Sequence, residues 1–180
     1  MKKMPLLWIS FFALLLTGCS TMDITQYKNE KPTLNLFEYF SGKTQAWGQF
    51  QDRSGTVIRR FSVDITGTVT GNTLVLDEQF VYNDGETQQR IWTITKTAQG
   101  QYTGTADDVI GEAKGVSAGN ALNWSYTLDL PYKDSSIHVK FDDWMYQHSQ
   151  SVMFNQAKVT KWGFKVGEVT LFFSKPAQGV

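Results

Sequence analysis

From Trp47 onward, apolar and polar side chains alternate with a period of two. Phe61, Val63 and Ile65 are separated by Ser62 and Asp64. Leu74, Leu76, Glu78, Phe80 and Tyr82 share one face, and Leu122, Trp124, Tyr126, Leu128 and Leu130 alternate with Asn123, Ser125, Thr127 and Asp129. Successive side chains of a strand point to opposite faces, so this alternation predicts strands buried on one side. Turn-forming pairs interrupt it at Ser54-Gly55, Gly71-Asn72, Asp84-Gly85, Gln99-Gly100, Gly119-Asn120 and Asp134-Ser135; Gly, Asn and Asp accept positive φ there at little steric cost. The predicted strands cover residues 46–53, 56–69, 73–83, 87–97, 101–110, 112–118, 121–132, 137–147, 151–162 and 167–175. Asn35 to Ser41 is expected to make one helical turn that caps the strands after it, with Leu36, Phe37 and Phe40 as its apolar positions.

Nearly every link between these strands is a short hairpin, so sequence neighbours should pair antiparallel. A meander of about eight to ten strands must close on itself or leave two long unpaired edges. The expected fold class is therefore all-β, an antiparallel up-and-down barrel with a short N-terminal helical turn. A two-sheet sandwich is the alternative and would need longer crossing connections. Glycines 104, 111, 115 and 119 fall within or between strands, where bulges or tight corners would account for them.

Composition narrows the class. The 180 residues carry 17 basic and 17 acidic side chains, a balance that excludes a dedicated nucleic-acid binder. A single Cys excludes an internal disulfide framework and a cysteine-cluster metal site. The chain opens with Lys2 and Lys3 followed by an apolar run from Pro5 to Leu16. That run is shorter than the roughly twenty residues a membrane-spanning helix needs, and it suits a cleaved signal peptide.

Its end, Leu16-Thr17-Gly18-Cys19, resembles the lipobox of bacterial lipoproteins, which implies lipidation at Cys19. The expected organisation is a signal peptide over residues 1–18, a lipidated terminus and tether over 19–34, and one barrel domain over 35–180. Ser20 follows the cysteine in place of an aspartate, so resemblance to that class implies sorting to the outer membrane, facing the periplasm. Two acyl chains anchor a protein stably, and removal of Lys2 and Lys3 leaves a slightly acidic chain that offers anionic lipid no electrostatic attraction.

No nucleophile elbow, phosphate loop or HExxH run is present, and Cys19 is consumed by lipid. The sequence accordingly reads as a non-enzyme without catalytic residues, cofactor or metal site. Asp107-Asp108 and Asp142-Asp143 are adjacent pairs whose members point to opposite faces of a strand, and structural or solvated roles are expected for them. His138 and His148 lie near opposite ends of one strand, too far apart to share a metal.

Charges on apolar faces are more informative. Glu78 lies on the Leu76 and Phe80 face, Arg90 on the face of Trp92 and Ile94, and Asp143 on that of Phe141 and Met145. If these faces point inward, the charges must pair or meet a ligand, because isolated burial costs several kcal/mol. Two arrangements are open. In one, Glu78, Asp143 and Arg90 form a closed internal network. In the other, Arg90, with Arg60 as the weaker candidate, meets a ligand carboxylate or phosphate while Trp92, Trp124 and Tyr126 line its apolar body.

Several stretches carry a family resemblance: Arg60-Phe61; Tyr82-Asn83-Asp84-Gly85-Glu86 with Arg90-Ile91-Trp92; residues 106–113; Gly119-Asn120-Ala121 with Trp124 and Tyr126; and Phe141-Asp142-Asp143-Trp144-Met145. Over residues 37–175 the chain resembles an uncharacterised family of Gram-negative lipoproteins, known only as a domain of unknown function. The resemblance implies a lipocalin-like barrel. Members often sit near genes for methyltransferases resembling cyclopropane-fatty-acid synthase, which points toward lipids. Likeness to lipocalins themselves is looser, since Trp47 is preceded by Gln45-Ala46 rather than by their Gly-X. The expected function is binding or carriage of a fatty acid or other lipid-like ligand. The alternatives are an adaptor with a protein partner in envelope assembly and an accessory role in fatty-acid modification.

Overall fold

The computed structural model describes residues 22–132 and 135–176. The signal segment, Cys19, and the Lys133-Asp134 tip of one predicted turn lie outside them. Ten strands follow a short helix, α1 (Leu36–Phe40): β1 (Gly42–Asp52), β2 (Val57–Thr70), β3 (Thr73–Tyr82), β4 (Thr87–Ala98), β5 (Gln101–Thr105), β6 (Ala113–Ala118), β7 (Ala121–Tyr132), β8 (Ser135–Gln147), β9 (Val152–Lys161) and β10 (Phe164–Ser174). Each pairs antiparallel with the next, and β10 returns to β1 over eight positions, from Gln45 opposite Ser174 to Asp52 opposite Gly167. The sheet is thus a closed barrel, and the sandwich alternative is excluded.

The alternating faces read from the sequence point into the barrel. Val63, Ile65, Leu74, Leu76, Phe80, Trp92, Ile94, Leu122, Trp124 and Phe141 are all buried. One end is plugged by α1. Asn35 caps the helix, its side chain accepting from the Glu38 N–H, and Leu36, Tyr39 and Phe40 are buried. Tyr39 donates its hydroxyl to the Ser151 carbonyl at 3.2 Å, and Lys175 Nζ donates to the Ser41 carbonyl at 2.9 Å, which ties both ends of the plug to the rim.

Where a tether is expected before the barrel, the described residues pack on it. A 3-10 turn, Ile24–Tyr27, lies against β6 and β7. The Tyr27 ring meets Trp144 and Tyr146, and the Leu34 N–H donates to the Gly119 carbonyl at 2.8 Å. Leu34 is 5% exposed. An apolar side chain with a place to bury does not stay in solvent, and the polar residues around it masked that signal.

Two of the four noted glycines make corners, Gly111 and Gly119 having φ of 70° and 54°. The other two make room instead. A Cβ at Gly104 would stand 2.8 Å from Trp124 Cζ2, and one at Gly115 2.2 Å from Trp124 Cε3, so the indole lies across both strands where a side chain is missing.

The fifth strand stops at Thr105, five residues short of the prediction. The loop after it, residues 106–112, fills the gap in the wall between β4 and β7, with Val109 bridged to Leu128 and the Ile110 N–H donating to the Thr127 carbonyl at 2.9 Å.

Candidate functional site: the barrel lumen

The barrel is hollow. A cavity of about 770 Å³ runs from Leu36 and Phe40 at the plugged end to Ile58, Glu86 and Pro131 at the opposite end, where it reaches the surface. This volume falls in the usual range for small-molecule sites. Its wall is mostly apolar and aromatic. Trp92 packs edge-on against Trp124 and Tyr126, with centroids 5.7 and 5.3 Å away, and Tyr126 stacks on Phe141 at 5.0 Å.

Polar groups gather at one level of this wall. Glu78 on β3 stands directly opposite Arg90 on β4. The guanidinium nevertheless turns to Asp108 of the loop: Nε donates to both carboxylate oxygens at 3.0 Å and Nη2 to Oδ2 at 2.6 Å. Asp143 is also satisfied, taking the Tyr126 hydroxyl at 3.0 Å and the Asn155 amide at 3.2 Å. Among the described residues Glu78 has no hydrogen bond and no ion pair. Protein encloses it, yet part of its own surface is open, and the space it faces is the lumen.

Burial governs the proton equilibria here. It pushes the Glu78 carboxyl up to about 7, with the Arg90 charge opposing and Asp108, Asp143 and Asp77 reinforcing. It likewise raises Asp143 to about 6 against the lowering effect of the Asn155 and Tyr126 hydrogen bonds. Burial alone would make Arg90 easier to deprotonate, but the Asp108 hydrogen bonds and the Glu78 charge hold it above its ordinary value.

Of the residues singled out in the sequence, Glu78, Arg90, Trp92, Trp124, Tyr126 and Asp143 all line the lumen. Arg60 does not. It is exposed on the outer face, and Arg59 lines the cavity in its place. Strand parity decides this: with Phe61 and Val63 inside, residue 59 is inside and residue 60 outside. Arg59 lies over the Tyr82 ring at 3.5 Å and bridges to Asp84 and Glu86 at the open end. The sequence reading also missed Asp108. Gly111, with its positive φ, marks a turn, and that signal could have ended the preceding strand early enough to leave Asp108 in a loop beside Arg90.

The closed Glu78, Asp143 and Arg90 network is not formed: Arg90 is neutralised by an aspartate from the loop, Asp143 accepts from uncharged donors, and Glu78 has no hydrogen bond or ion pair among the described residues.

The profile of one protein family spans residues 13–175 of this sequence. The chain belongs to the family described as protein of unknown function DUF3833. No curated protein matches it. Among solved structures it is similar to the S-type phycobiliprotein lyase CPES of Guillardia theta, with a TM-score of 0.60 and 5% identity over 87% of this chain and 100% of the lyase. It is also similar to a DUF3598 protein of unknown function from Nostoc punctiforme, with a TM-score of 0.59 and 12% identity over 82% of this chain and 51% of the other. This chain therefore spans about half the length of the DUF3598 protein.

Identities this low speak to the fold alone, a lipocalin-like barrel. They still correct the non-enzyme reading of the sequence. A barrel of this shape is named a lyase, and the missing elbow, phosphate loop and HExxH run are devices of other folds. Their absence has no bearing on a barrel whose chemistry would rest on lumen side chains.

Proposed function

We infer that this DUF3833 protein is a lipid-anchored component of the Gram-negative outer membrane, facing the periplasm, whose barrel binds a lipid-like molecule. The observation that carries the reading is the lumen itself: about 770 Å³, walled by Trp92, Trp124, Tyr126, Phe80 and Phe141, plugged at one end and open at the other. Interior width grows with strand number, and ten strands leave space that the side chains of an eight-stranded barrel would nearly fill. An elongated apolar body fits such a space better than a compact polar one does.

The open end adds support. Ile58, Trp162 and Phe164, at the turns on that side, are 58%, 86% and 75% exposed. Apolar groups left in solvent around a mouth suit one that works against a lipid surface. Lipidation at Cys19 supplies the anchor.

Native mass spectrometry of the protein extracted from its own envelope tests this. An apolar guest of a few hundred daltons should accompany the barrel, and the Cys19→Ser variant should leave the membrane fraction. A guest-free barrel that also fails to take up any long-chain compound would overturn the reading.

A further inference from the structure

The polar groups around the lumen are nearly all spent on one another. Arg90 gives Nε and Nη2 to Asp108. Both oxygens of Asp143 are occupied, by Tyr126 and Asn155. The Tyr82 hydroxyl donates to Gln88 at 2.8 Å, and at the open end Arg59 is held through Nη2 between Asp84 and Glu86, its buried Nε having no partner among the described residues. Among the described carboxylates of the lumen wall, Glu78 alone keeps its full accepting capacity, two oxygens with about four lone-pair sites. It does so beside an apolar cavity, where an unpaired carboxylate is costly.

The charge balance points the same way. Around Glu78 stand Arg90 from β4, Asp108 from the 106–112 loop and Asp143 from β8, with Asp77 on its own strand. Acidic groups outnumber basic ones. An incoming carboxylate or phosphate would meet this excess, and the Arg90 charge it would need is already balanced by the two-oxygen contact with Asp108. A donor needs no such rearrangement, because an ammonium or hydroxyl brought to Glu78 satisfies an acceptor that the protein leaves empty.

Building on the lumen as a ligand site, we propose that it selects long-chain molecules whose polar group donates hydrogen bonds or carries positive charge, amines and alcohols, and disfavours those ending in a carboxylate or phosphate, with Glu78 as the accepting group. The apolar chain lies along Trp92, Trp124 and Phe141. Ligands of the fatty-acid type, bound head-first to arginine, are what this arrangement rejects.

Dodecylamine, dodecanol and dodecanoate share one chain and differ only in the polar group. Their binding to the full mature chain, freed of co-purifying guest, is read from the tryptophan emission of Trp92 and Trp124. At pH 8 the amine and the alcohol should bind at least ~10-fold more tightly than dodecanoate, which corresponds to a free-energy difference of about 1.4 kcal/mol. Glu78→Gln should cost the amine most of that advantage. In the native protein the amine should weaken as pH falls below 7 and the carboxylate takes up its proton, while the alcohol changes little. That series decides the matter even if the variant does not fold.

Dodecanoate binding as tightly as the amine would overturn the selectivity and leave the lumen site standing, as would an amine preference that is unchanged both in the variant and across pH. Failure of all three to bind would overturn the lumen site, and the selectivity with it.

Discussion

Glu78 is a destabilising residue in the empty barrel, and its cost depends on pH. An acid whose pKa rises on folding holds more protons folded than unfolded between the two values. For Glu78 that interval runs from 4.5 to about 7, and for Asp143 from 3.8 to about 6. The favourable contribution is complete below the lower value and is lost as pH climbs through the upper one. Guest-free protein should therefore be most stable below about pH 4 as far as these groups decide, and weaker by roughly 1–3 kcal/mol from Glu78 at pH 8. Urea midpoints across this range measure it, and Glu78→Gln should flatten the upper part of the profile. A profile rising steadily to pH 8, the same in both proteins, would mean that Glu78 has a partner after all. At this scale the sequence was legible by parity: six interior site residues follow from it, and parity applied consistently would have chosen Arg59 over Arg60. Asp108 was not legible by parity, because it enters from a loop that no alternation reaches, and only the Gly111 turn pointed to that loop.

At the scale of elements, strand positions came through well and glycine roles only in part. Alternation and turn residues placed all ten strands, since both are local properties. Gly115 stands opposite Trp124 in the β6–β7 hairpin, a register the Gly119-Asn120 turn sets, whereas Gly104 meets the same indole from β5, which no single turn announces. The packing makes a definite demand. Gly115→Ala would set a methyl 2.2 Å from Trp124 Cε3, and the ring can yield only toward the cavity, since the wall is behind it. We expect a loss of about 1–3 kcal/mol, typical of overpacking, together with altered tryptophan emission and reduced room for a guest. Gly111→Ala serves as the contrast. No atom lies within 4 Å of its Cβ position, so its penalty comes from positive φ alone and should leave the Trp124 signal untouched. The plug and the bound N-terminal segment belong to this scale as well. The plug was legible from the spacing of Leu36 and Phe40. Docking of Tyr27 and Leu34 was not, because isolated apolar residues in a polar stretch show no period.

Closure is the property of the whole molecule on which the lumen depends, and it has a sharp test in β10. Along an antiparallel strand, consecutive backbone N–H groups point alternately to the two neighbouring strands. Val169 and Thr170 pair on one side with Ala157 and Gln156 of β9, and on the other with Phe50 and Gln49 of β1. In an open meander or a sandwich β10 would be an edge strand. One of the two residues would then aim its N–H at solvent, and proline would be tolerated there but not at its neighbour. In the closed barrel there is no free side. Val169→Pro and Thr170→Pro should each remove a ladder bond, and both should lose cooperative unfolding and near-ultraviolet dichroism, while Thr170→Val, which keeps the N–H, should fold. Tolerance of one proline and not the other would mean that β1 and β10 come apart in solution, and the cavity between the walls would then be a cleft open along its whole length.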